Sequence, residues 1–239
     1  MFLFLFQKKR THSSFSILEK FFQEYLIYGG YPDIVLQTSI ELKQQILKNL
    51  VNTYLLKEIK DILAYKNIFE YESLLRRLAL QDGGIMNKSA ISRDLGIYNN
   101  KIAEMIHVLE KTYILTSIQP FFTNKIKEQI KSPKVYFHDL GFKNALINNF
   151  NTLEMRSDKG EIYENFIVNM LIRKNKNIHF WNIQNRYEID FVYQEGGEIF
   201  GIEVKSQLQN NKIPQSVKMF IDKIRPQNIQ IFNQNIDDV

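Results

Sequence analysis

Two short apolar runs in the C-terminal third of the chain most constrain its fold and chemistry. Glu-Ile-Asp-Phe-Val at 188–192 and Ile-Glu-Val-Lys at 202–205 are rich in β-branched and aromatic residues, which predicts two strands. Because side chains alternate between the faces of a strand, Glu203 and Lys205 share one face while Val204 turns towards the core. The chain therefore places an acid and a base side by side on a sheet.

A predicted helix before these strands adds a third carboxylate, that of Glu164. Its apolar residues recur at helical spacing: Ile162, Phe166, Ile167, Met170 and Leu171. Strand alternation also places Glu188 with Asp190, so Glu188 is a candidate outer ligand. A hard divalent cation prefers oxygen ligands, so Glu164, Asp190 and Glu203 are candidate ligands of Mg²⁺ or Mn²⁺. The Lys205 ammonium beside them can orient a water molecule.

Asp190 followed downstream by Glu203-Val204-Lys205 resembles the pattern of the PD-(D/E)XK, or restriction-endonuclease-like, superfamily. Further motifs occur here in the order found in the AAA-type ATPases that carry an uncharacterised nuclease-like domain at their C-terminus. These motifs are Gly-Gly-Tyr-Pro at 29–32, Lys-Glu-Ile-Lys-Asp at 57–61, Pro-Lys-Val-Tyr-Phe-His-Asp-Leu-Gly at 133–141 and Gly-x-x-Tyr-Glu-Asn-Phe from 160. From about Leu18 to about Phe232, the chain resembles the C-terminal half of such ATPases. The resemblance implies that Glu164, Asp190, Glu203 and Lys205 are catalytic.

The predicted elements describe a chain of α+β or α/β class in three parts. Residues 1–65 are helical and resemble the tail of an ATPase domain, so we expect an upstream truncation. Residues 66–148 read helix, turn, helix and hairpin, which is the order of a winged helix. Residues 149–239 read helix, three strands, helix and strand, which is a restriction-endonuclease-like mixed sheet flanked by helices. The polar segment 148–158 is the predicted linker. Asp139 is the predicted N-terminal cap of the helix that precedes this linker.

The winged helix predicts a nucleic-acid surface. Its second helix begins with three residues that can reach bases or phosphate: Asn99, Asn100 and Lys101. Its wing carries three lysines suited to phosphate: Lys125, Lys127 and Lys131. The net charge is +6 over residues 1–150 and −1 over residues 151–239, so the basic excess lies in the part that would contact DNA. The alternative is that this winged helix is a packing or protein-docking module.

Composition excludes several other classes of function. The chain has no cysteine, and its four histidines show no paired ligand spacing, so we expect neither disulfides nor a zinc site. The apolar start, Met1 to Phe6, precedes basic residues and is too short to span a bilayer, which predicts a cytoplasmic protein without a membrane partner. The nearest approach to a phosphate-binding loop is Gly83 to Ser89, where Asn87 replaces the second glycine. We therefore expect no ATP site and no ATP hydrolysis in this chain.

Two functional hypotheses remain open. In the first, the carboxylates and Lys205 form a Mg²⁺- or Mn²⁺-dependent phosphodiesterase site that acts on nucleic acid. In the second, the winged helix and the nuclease-like fold form a non-catalytic module that binds nucleic acid or protein for an ATPase. The expected partners are DNA and an ATPase domain or a second copy of the chain.

Overall fold

The computed structural model describes residues 12–55, 57, 59, 68–122, 132–174, 176–183, 186–205 and 213–232. The described part begins with helices, and their bounds are α1 His12–Tyr28, α2 Pro32–Val35, α3 Ile40–Thr53, α4 Ile68–Ala79, α5 Lys88–Leu95 and α6 Asn99–Lys111. Strands and helices follow, and their bounds are β1 Leu115–Pro120, β2 Lys134–Phe137, α7 Leu140–Leu146, a 3-10 turn Leu153–Met155, α8 Lys159–Arg173, β3 Ile178–Ile183, β4 Tyr187–Glu195, β5 Glu198–Val204, α9 Gln215–Ile224 and β6 Asn228–Phe232.

Local signals in the sequence set several helix ends. The Ser39 hydroxyl accepts a hydrogen bond from Leu42 N at the start of α3, and the Asn87 side chain accepts one from Ala90 N at the start of α5. Gly96 ends α5 in the left-handed conformation at φ 68°, which glycine adopts without strain. Asp139 accepts a hydrogen bond from Phe142 N and caps α7, so the predicted cap is confirmed.

In the described part of the chain, six strands form one mixed sheet in the order β2-β1-β3-β4-β5-β6. The β1–β2 hairpin is antiparallel, and β1 pairs with β3 in parallel through Gln119 and Pro120. Strands β3, β4 and β5 are antiparallel to one another, and β6 runs parallel to β5. The hairpin of the predicted winged helix thus continues directly into the sheet of the C-terminal part.

Both faces of the sheet are covered. On one face, α1 and α8 pack against Phe180, Phe191, Ile202 and Val204. On the other face, α9 contributes Val217 and Phe220, which pack against Trp181, Ile189 and Val192. A third cluster joins the helices of the N-terminal part to β2 and α7. Both faces of the sheet therefore carry apolar side chains that are shielded from water.

The fold class is confirmed: a helical N-terminal part precedes a six-stranded mixed sheet flanked by helices. The predicted order of helix, three strands, helix and strand is found from α8 to β6. The domain boundaries stay a prediction. Segment 148–158 contains the buried residues Leu153 and Arg156. No helix in the described ranges combines the length and apolar character needed to cross a bilayer.

A buried polar network joins the helical part to α8. Asn165 Nδ2 donates to both oxygens of Asp82, at 3.0 and 2.8 Å, and Lys143 Nζ lies 3.5 Å from Asp82 Oδ2. Arg156 donates to Asn144 Oδ1 at 2.9 Å, and Asn144 in turn donates to the backbone at the end of α1. All five of these side chains are buried. Because buried polar groups are costly unless paired, the network fixes α8, which carries Glu164, relative to the N-terminal part.

Candidate functional site

Glu203 and Lys205 form a close ion pair at the C-terminal end of β5. Glu203 Oε1 lies 2.6 Å from Lys205 Nζ and 3.4 Å from the hydroxyl of Ser216, at the start of α9. The residue Glu203 is only 2% exposed, and its second oxygen, Oε2, is buried without a hydrogen-bond partner in the described part of the chain. An unpaired carboxylate oxygen in this setting is costly unless a water molecule, an ion or a proton satisfies it.

Asp190 lies in a β-bulge of β4. Three residues of β3, from His179 to Trp181, lie opposite four residues of β4, from Val192 to Ile189. Ile189 and Phe191 consequently pack on different faces of the sheet, although strict alternation would place them on one face. The bulge turns the Asp190 carboxylate towards β5, where its Oδ2 accepts a hydrogen bond from Val204 N at 2.7 Å.

Glu164 approaches from α8 and is held by two residues of β2. Its Oε2 accepts a hydrogen bond from the Tyr136 hydroxyl at 3.2 Å and lies 3.7 Å from Lys134 Nζ. The turn before α5 is also close, because a Cβ atom built on Gly83 would lie 3.4 Å from the same oxygen. Glu164 therefore contacts the N-terminal part of the chain as well as the sheet.

Lys134 is a buried ammonium between two carboxylates, with a side chain only 4% exposed. Its Nζ lies 2.5 Å from Glu188 Oε1 and 3.7 Å from Glu164 Oε2, and it sits 5.6 Å from the centre of the Phe180 ring. The other oxygen of Glu188 accepts a hydrogen bond from Asn182 at 2.9 Å. Both carboxylate oxygens of Glu188 therefore have protein partners.

The pKa values of this group reflect burial of several like charges. Burial and the neighbouring Asp190 raise the pKa of Glu164 to about 8 and that of Glu203 to about 7. Burial also raises the pKa of Asp190, against the opposing effect of Lys134. Burial favours a lower pKa for Lys134, but Glu164, Glu188 and Asp190 outweigh it and raise that pKa. The lysines stay charged while the acids resist full ionisation.

The cluster carries a negative excess that matches one divalent cation. Four carboxylates face two ammonium groups, which leaves two negative charges when all are ionised; the members are Glu164, Glu188, Asp190, Glu203, Lys134 and Lys205. Oxygen donors are also the ligands that Mg²⁺ and Mn²⁺ prefer. The donor types are therefore those that such a cation prefers, and Oε2 of Glu203 has no hydrogen-bond partner among the described residues.

The three predicted ligands do not stand in one ready coordination shell. Within the described ranges, no three His, Cys, Asp or Glu side chains are grouped so that they could hold a metal ion. Ile202 and Val204 face α8, so Glu203 points to the α9 side, where it meets Ser216. Glu164 comes from the α8 side. Asp190, in the bulge, interacts electrostatically with both of these glutamates.

A cavity of about 540 Å³ opens beside Lys134, Glu164 and Glu188. The turn between α4 and α5 forms its opposite wall with Gln81, Gly83 and Gly84. Seven ionisable residues line it, five acidic and two basic: Asp82, Asp158, Glu161, Glu164, Glu188, Lys134 and Lys143. An anion that enters this cavity meets an excess of negative charge unless a cation accompanies it.

Three of the six predicted nucleic-acid-binding residues belong to the part of the chain that the structure describes. Asn99, Asn100 and Lys101 begin α6 as predicted, and Asn100 and Lys101 line a second cavity with the exposed Tyr98. Lys101 Nζ forms an ion pair with Glu70 Oε2 at 2.5 Å. The three wing residues, Lys125, Lys127 and Lys131, lie outside the described residues. The proposed nucleic-acid contacts stay a prediction.

Sequence reasoning missed the contacts of Lys134 and Tyr136 with the acidic cluster. Both belong to the motif at 133–141 that carries the family resemblance, for which the sequence predicted no chemical role. A lysine in a short run that is otherwise apolar was the available signal, because lysine is rarely fully buried unless it is paired. Ser216 gave no such signal, since a single serine near a helix start is usually a cap.

The fold and this cluster define a mixed α/β protein with a buried acid-lysine site at the end of its central strands. The chain belongs to the family described as "Domain of unknown function (DUF8612)", whose model matches residues 19–153. A second model, "Domain of unknown function (DUF4143)", matches residues 159–236. Lys134 lies in the first matched segment, whereas Glu164, Asp190 and Glu203 lie in the second.

Curated relatives come from bacteria and an archaeon. An uncharacterized protein of Methanocaldococcus jannaschii is 24% identical over 97% of this chain and 52% of its own length. One of Haemophilus influenzae is 24% identical over 85% of this chain and 50% of its own length. One of Mycobacterium tuberculosis is 25% identical over 54% of this chain and 30% of its own length. The chain thus spans about half or less of the relatives it matches. No solved structure matches it.

Proposed function

We propose that the acid-lysine cluster is the site of a divalent-cation-dependent phosphodiesterase that acts on nucleic acid. The observation that carries this proposal is the Glu203 carboxylate, which is buried with Oε2 unpaired while Lys205 holds Oε1. Few structural roles account for a charged group that is buried and left half satisfied. A cation at Oε2 would supply the missing partner and offset the charge of Asp190 beside it.

Each residue has a distinct task in this proposal. Asp190 and Glu203 would hold the cation, and Glu164 would have to reach it from the α8 side of the sheet. When bound, the cation polarises a phosphate oxygen and lowers the pKa of a water molecule. Lys205, whose side chain is 38% exposed, reaches solvent and orients the attacking water. The water oxygen would bond to phosphorus as the bond to the leaving sugar oxygen breaks. One proton would pass from the attacking water to solvent, and one proton from solvent would neutralise the leaving alkoxide.

Calorimetry with Mn²⁺ and a cleavage assay on the full chain test the proposal. Asp190→Asn keeps the size of the side chain and removes its charge, so we expect it to abolish Mn²⁺ binding. Lys205→Ala leaves the carboxylates in place, so it should retain Mn²⁺ and lose cleavage of single- and double-stranded DNA. Wild-type protein that binds no Mn²⁺ at millimolar concentration, or a Lys205→Ala variant that cleaves normally, would refute these roles.

A second candidate function is a non-catalytic module of an AAA-type ATPase. The pairing of Lys134 with Glu164 and Glu188 favours it, because two of the acids already have a buried cationic partner. The relatives, about twice as long as this chain, leave room for an ATPase half. DNA binding that depends on Lys125, Lys127 and Lys131, in a protein that binds no Mn²⁺ and cleaves nothing, is the result that favours this candidate.

A further inference from the structure

Strand β6 forms one edge of the sheet and carries no residue of the kinds that usually protect such an edge. It comes last in the strand order of the described residues, and its sequence, Asn-Ile-Gln-Ile-Phe, contains no proline and no charged residue. Its register with β5 runs without a shift from Asn228 to Phe232. Exposed edges are commonly protected by lysine, proline or a bulge, because unpaired backbone groups there can pair with another strand. The outer side of β6 is therefore suited to pairing with a further strand.

The backbone groups on this outer side belong to Ile229 and Ile231. Lys205 N donates a hydrogen bond to Phe232 O at 2.8 Å, so the backbone of Phe232 faces β5. Because the direction of backbone N–H and C=O groups alternates along a strand, Gln230 also faces β5, whereas Ile229 and Ile231 face away from it. Their two N–H and two C=O groups are the donors and acceptors that a further strand would use.

We propose that β6 pairs in antiparallel fashion with β6 of a second copy of this chain, about a two-fold axis that passes between the two Gln230 residues. In this register Ile229 of each copy lies opposite Ile231 of the other, and each such pair exchanges two backbone hydrogen bonds. The side chains of both isoleucines are partly buried against the apolar cluster under α9, so the opposed pairs extend that cluster from one copy to the next. The strand is thus complementary to itself, as a two-fold interface requires.

Charges on either side of β6 favour the antiparallel arrangement. Before the strand, the exposed Lys223 and Arg225 outnumber one exposed acid, Asp222. After the strand, the sequence continues to Asp237 and Asp238. In an antiparallel pair, the basic segment before one strand is next to the chain that leaves the other strand, so opposite charges meet at both ends of the contact. A parallel pair would bring like charges together instead.

Sedimentation equilibrium of the full chain, from about 1 µM to about 300 µM, tests this pairing. We expect a monomer–dimer equilibrium in the micromolar range, because five residues from each copy make a small interface. Gln230 is exposed, so Gln230→Lys and Gln230→Glu should both fold. Each variant places like charges across the axis and should weaken the dimer at least about fivefold. An equal mixture of the two variants should dimerise again, since opposite charges then meet at the axis.

The matched control is the same pair of substitutions at Gln194. This residue is also exposed, but it lies on β4, which pairs with β3 on one side and with β5 on the other. Gln194→Lys and Gln194→Glu should therefore dimerise like wild type.

A disulfide cross-link tests the register independently. The chain contains no cysteine, so Gln230→Cys introduces a single thiol at the proposed axis. Residues that lie opposite each other in a non-hydrogen-bonded antiparallel pair have Cα atoms about 4.5 Å apart, which a disulfide can bridge. Mild oxidation should link two copies of Gln230→Cys and leave Gln194→Cys mostly monomeric.

Three results would overturn the inference. A wild-type chain that stays monomeric up to about 300 µM leaves β6 to another partner, such as an extended peptide. A dimer that Gln230→Lys and Gln230→Glu leave unchanged is formed through a different surface. Equal cross-linking of Gln230→Cys and Gln194→Cys contradicts the proposed register. All three concern β6 alone and leave the proposed phosphodiesterase untouched.

Discussion

The Asp190 carboxylate accepts a 2.7 Å hydrogen bond from the backbone N–H of Val204, across from the bulged strand β4 to the end of β5. A side chain thus takes the place of a backbone acceptor where the two strands separate. This bond holds the Asp190 carboxylate beside Glu203 and Lys205 without the help of any cation. Its geometric role and its charge can be separated by mutation.

Asp190→Asn should stabilise the metal-free protein. The Asn side chain still offers an oxygen to Val204 N, and it removes a charge that raises the pKa of Glu164 and Glu203. We expect a melting temperature about 2–4 °C higher at pH 8, which corresponds to about 1 kcal/mol in a protein of this size.

Asp190→Ala serves as the contrast. It removes the same charge but leaves the Val204 N–H without its acceptor, which costs about 1–3 kcal/mol. Thermal denaturation followed by circular dichroism should therefore give a melting temperature above that of wild type for Asp190→Asn and below it for Asp190→Ala. If both variants shift the melting temperature equally, the bond to Val204 does not hold the site.

The stability of the metal-free protein should fall as pH rises from about 5 to about 8. Burial raises the pKa of Asp82 to about 6, of Glu203 to about 7 and of Glu164 to about 8, all above the values near 4 of the unfolded chain. The native state then binds more protons than the unfolded state in this range. Stability is therefore full below the unfolded pKa values and is lost as each folded pKa is passed.

Urea unfolding at intervals between pH 5 and pH 9 measures this dependence. Glu164→Gln should flatten the curve over the whole range from about pH 5 to about pH 8, because the pKa of Glu164 is about 8 in the folded protein and near 4 in the unfolded chain. A stability that rises steadily over this range would show that the buried carboxylates are ionised at little cost.

A close approach between α1 and α7 makes Gly141 sensitive to substitution. A Cβ atom at Gly141 would lie 2.0 Å from the carbonyl oxygen of Tyr28, so Gly141→Ala requires the two helices to move apart. We expect a loss of at least about 2 kcal/mol in the free energy of unfolding. Gly160→Ala is the control, because nothing lies within 4 Å of that Cβ position and alanine favours a helix.

Both glycine variants can be compared by urea unfolding at one pH. Gly160→Ala should be neutral or slightly stabilising, since Gly160 lies in the first turn of α8. A loss of similar size in the two variants would indicate that α1 and α7 do not pack as closely as the structure places them.

The ion pair between Lys101 and Glu70 leads to a prediction about the affinity of α6 for DNA. Glu70→Gln removes the carboxylate that faces the lysine, so affinity for duplex DNA at low salt should rise up to about fivefold, as an exposed pair contributes up to about 1 kcal/mol. Glu72→Gln on the same helix is the matched control, because Glu72 pairs with Arg76 instead. Fluorescence anisotropy with a labelled duplex would detect the difference. Equal affinities would remove Lys101 from the DNA-binding surface.

Much of this fold was predictable from local pattern. The helix cap at Asp139, the pairing of Glu203 with Lys205 and the order of elements from α8 to β6 all follow from residue spacing along a single segment. Such features depend on neighbours in sequence, where helical and strand periods are reliable.

The remaining features depend on contacts between distant segments. The bulge at Asp190 breaks strand alternation and is set by packing on both faces of the sheet, which no single strand encodes. Lys134 meets Glu164 and Glu188 only because the hairpin β1–β2 joins the edge of the C-terminal sheet. Strand composition alone gave no sign that β1 would pair with β3.

The residues that surround Glu164 have a consequence for how this protein evolves. Lys134 and Gly83 belong to the segment matched by one family model, and Glu164 and Glu188 belong to the segment matched by the other. Recombination between these two segments would leave a buried ammonium facing an unrelated surface and buried acids without their base. The two segments are therefore expected to be inherited as a pair, and a genome that carries the second segment joined to a different first segment should show compensating changes at the positions of Glu164 and Glu188.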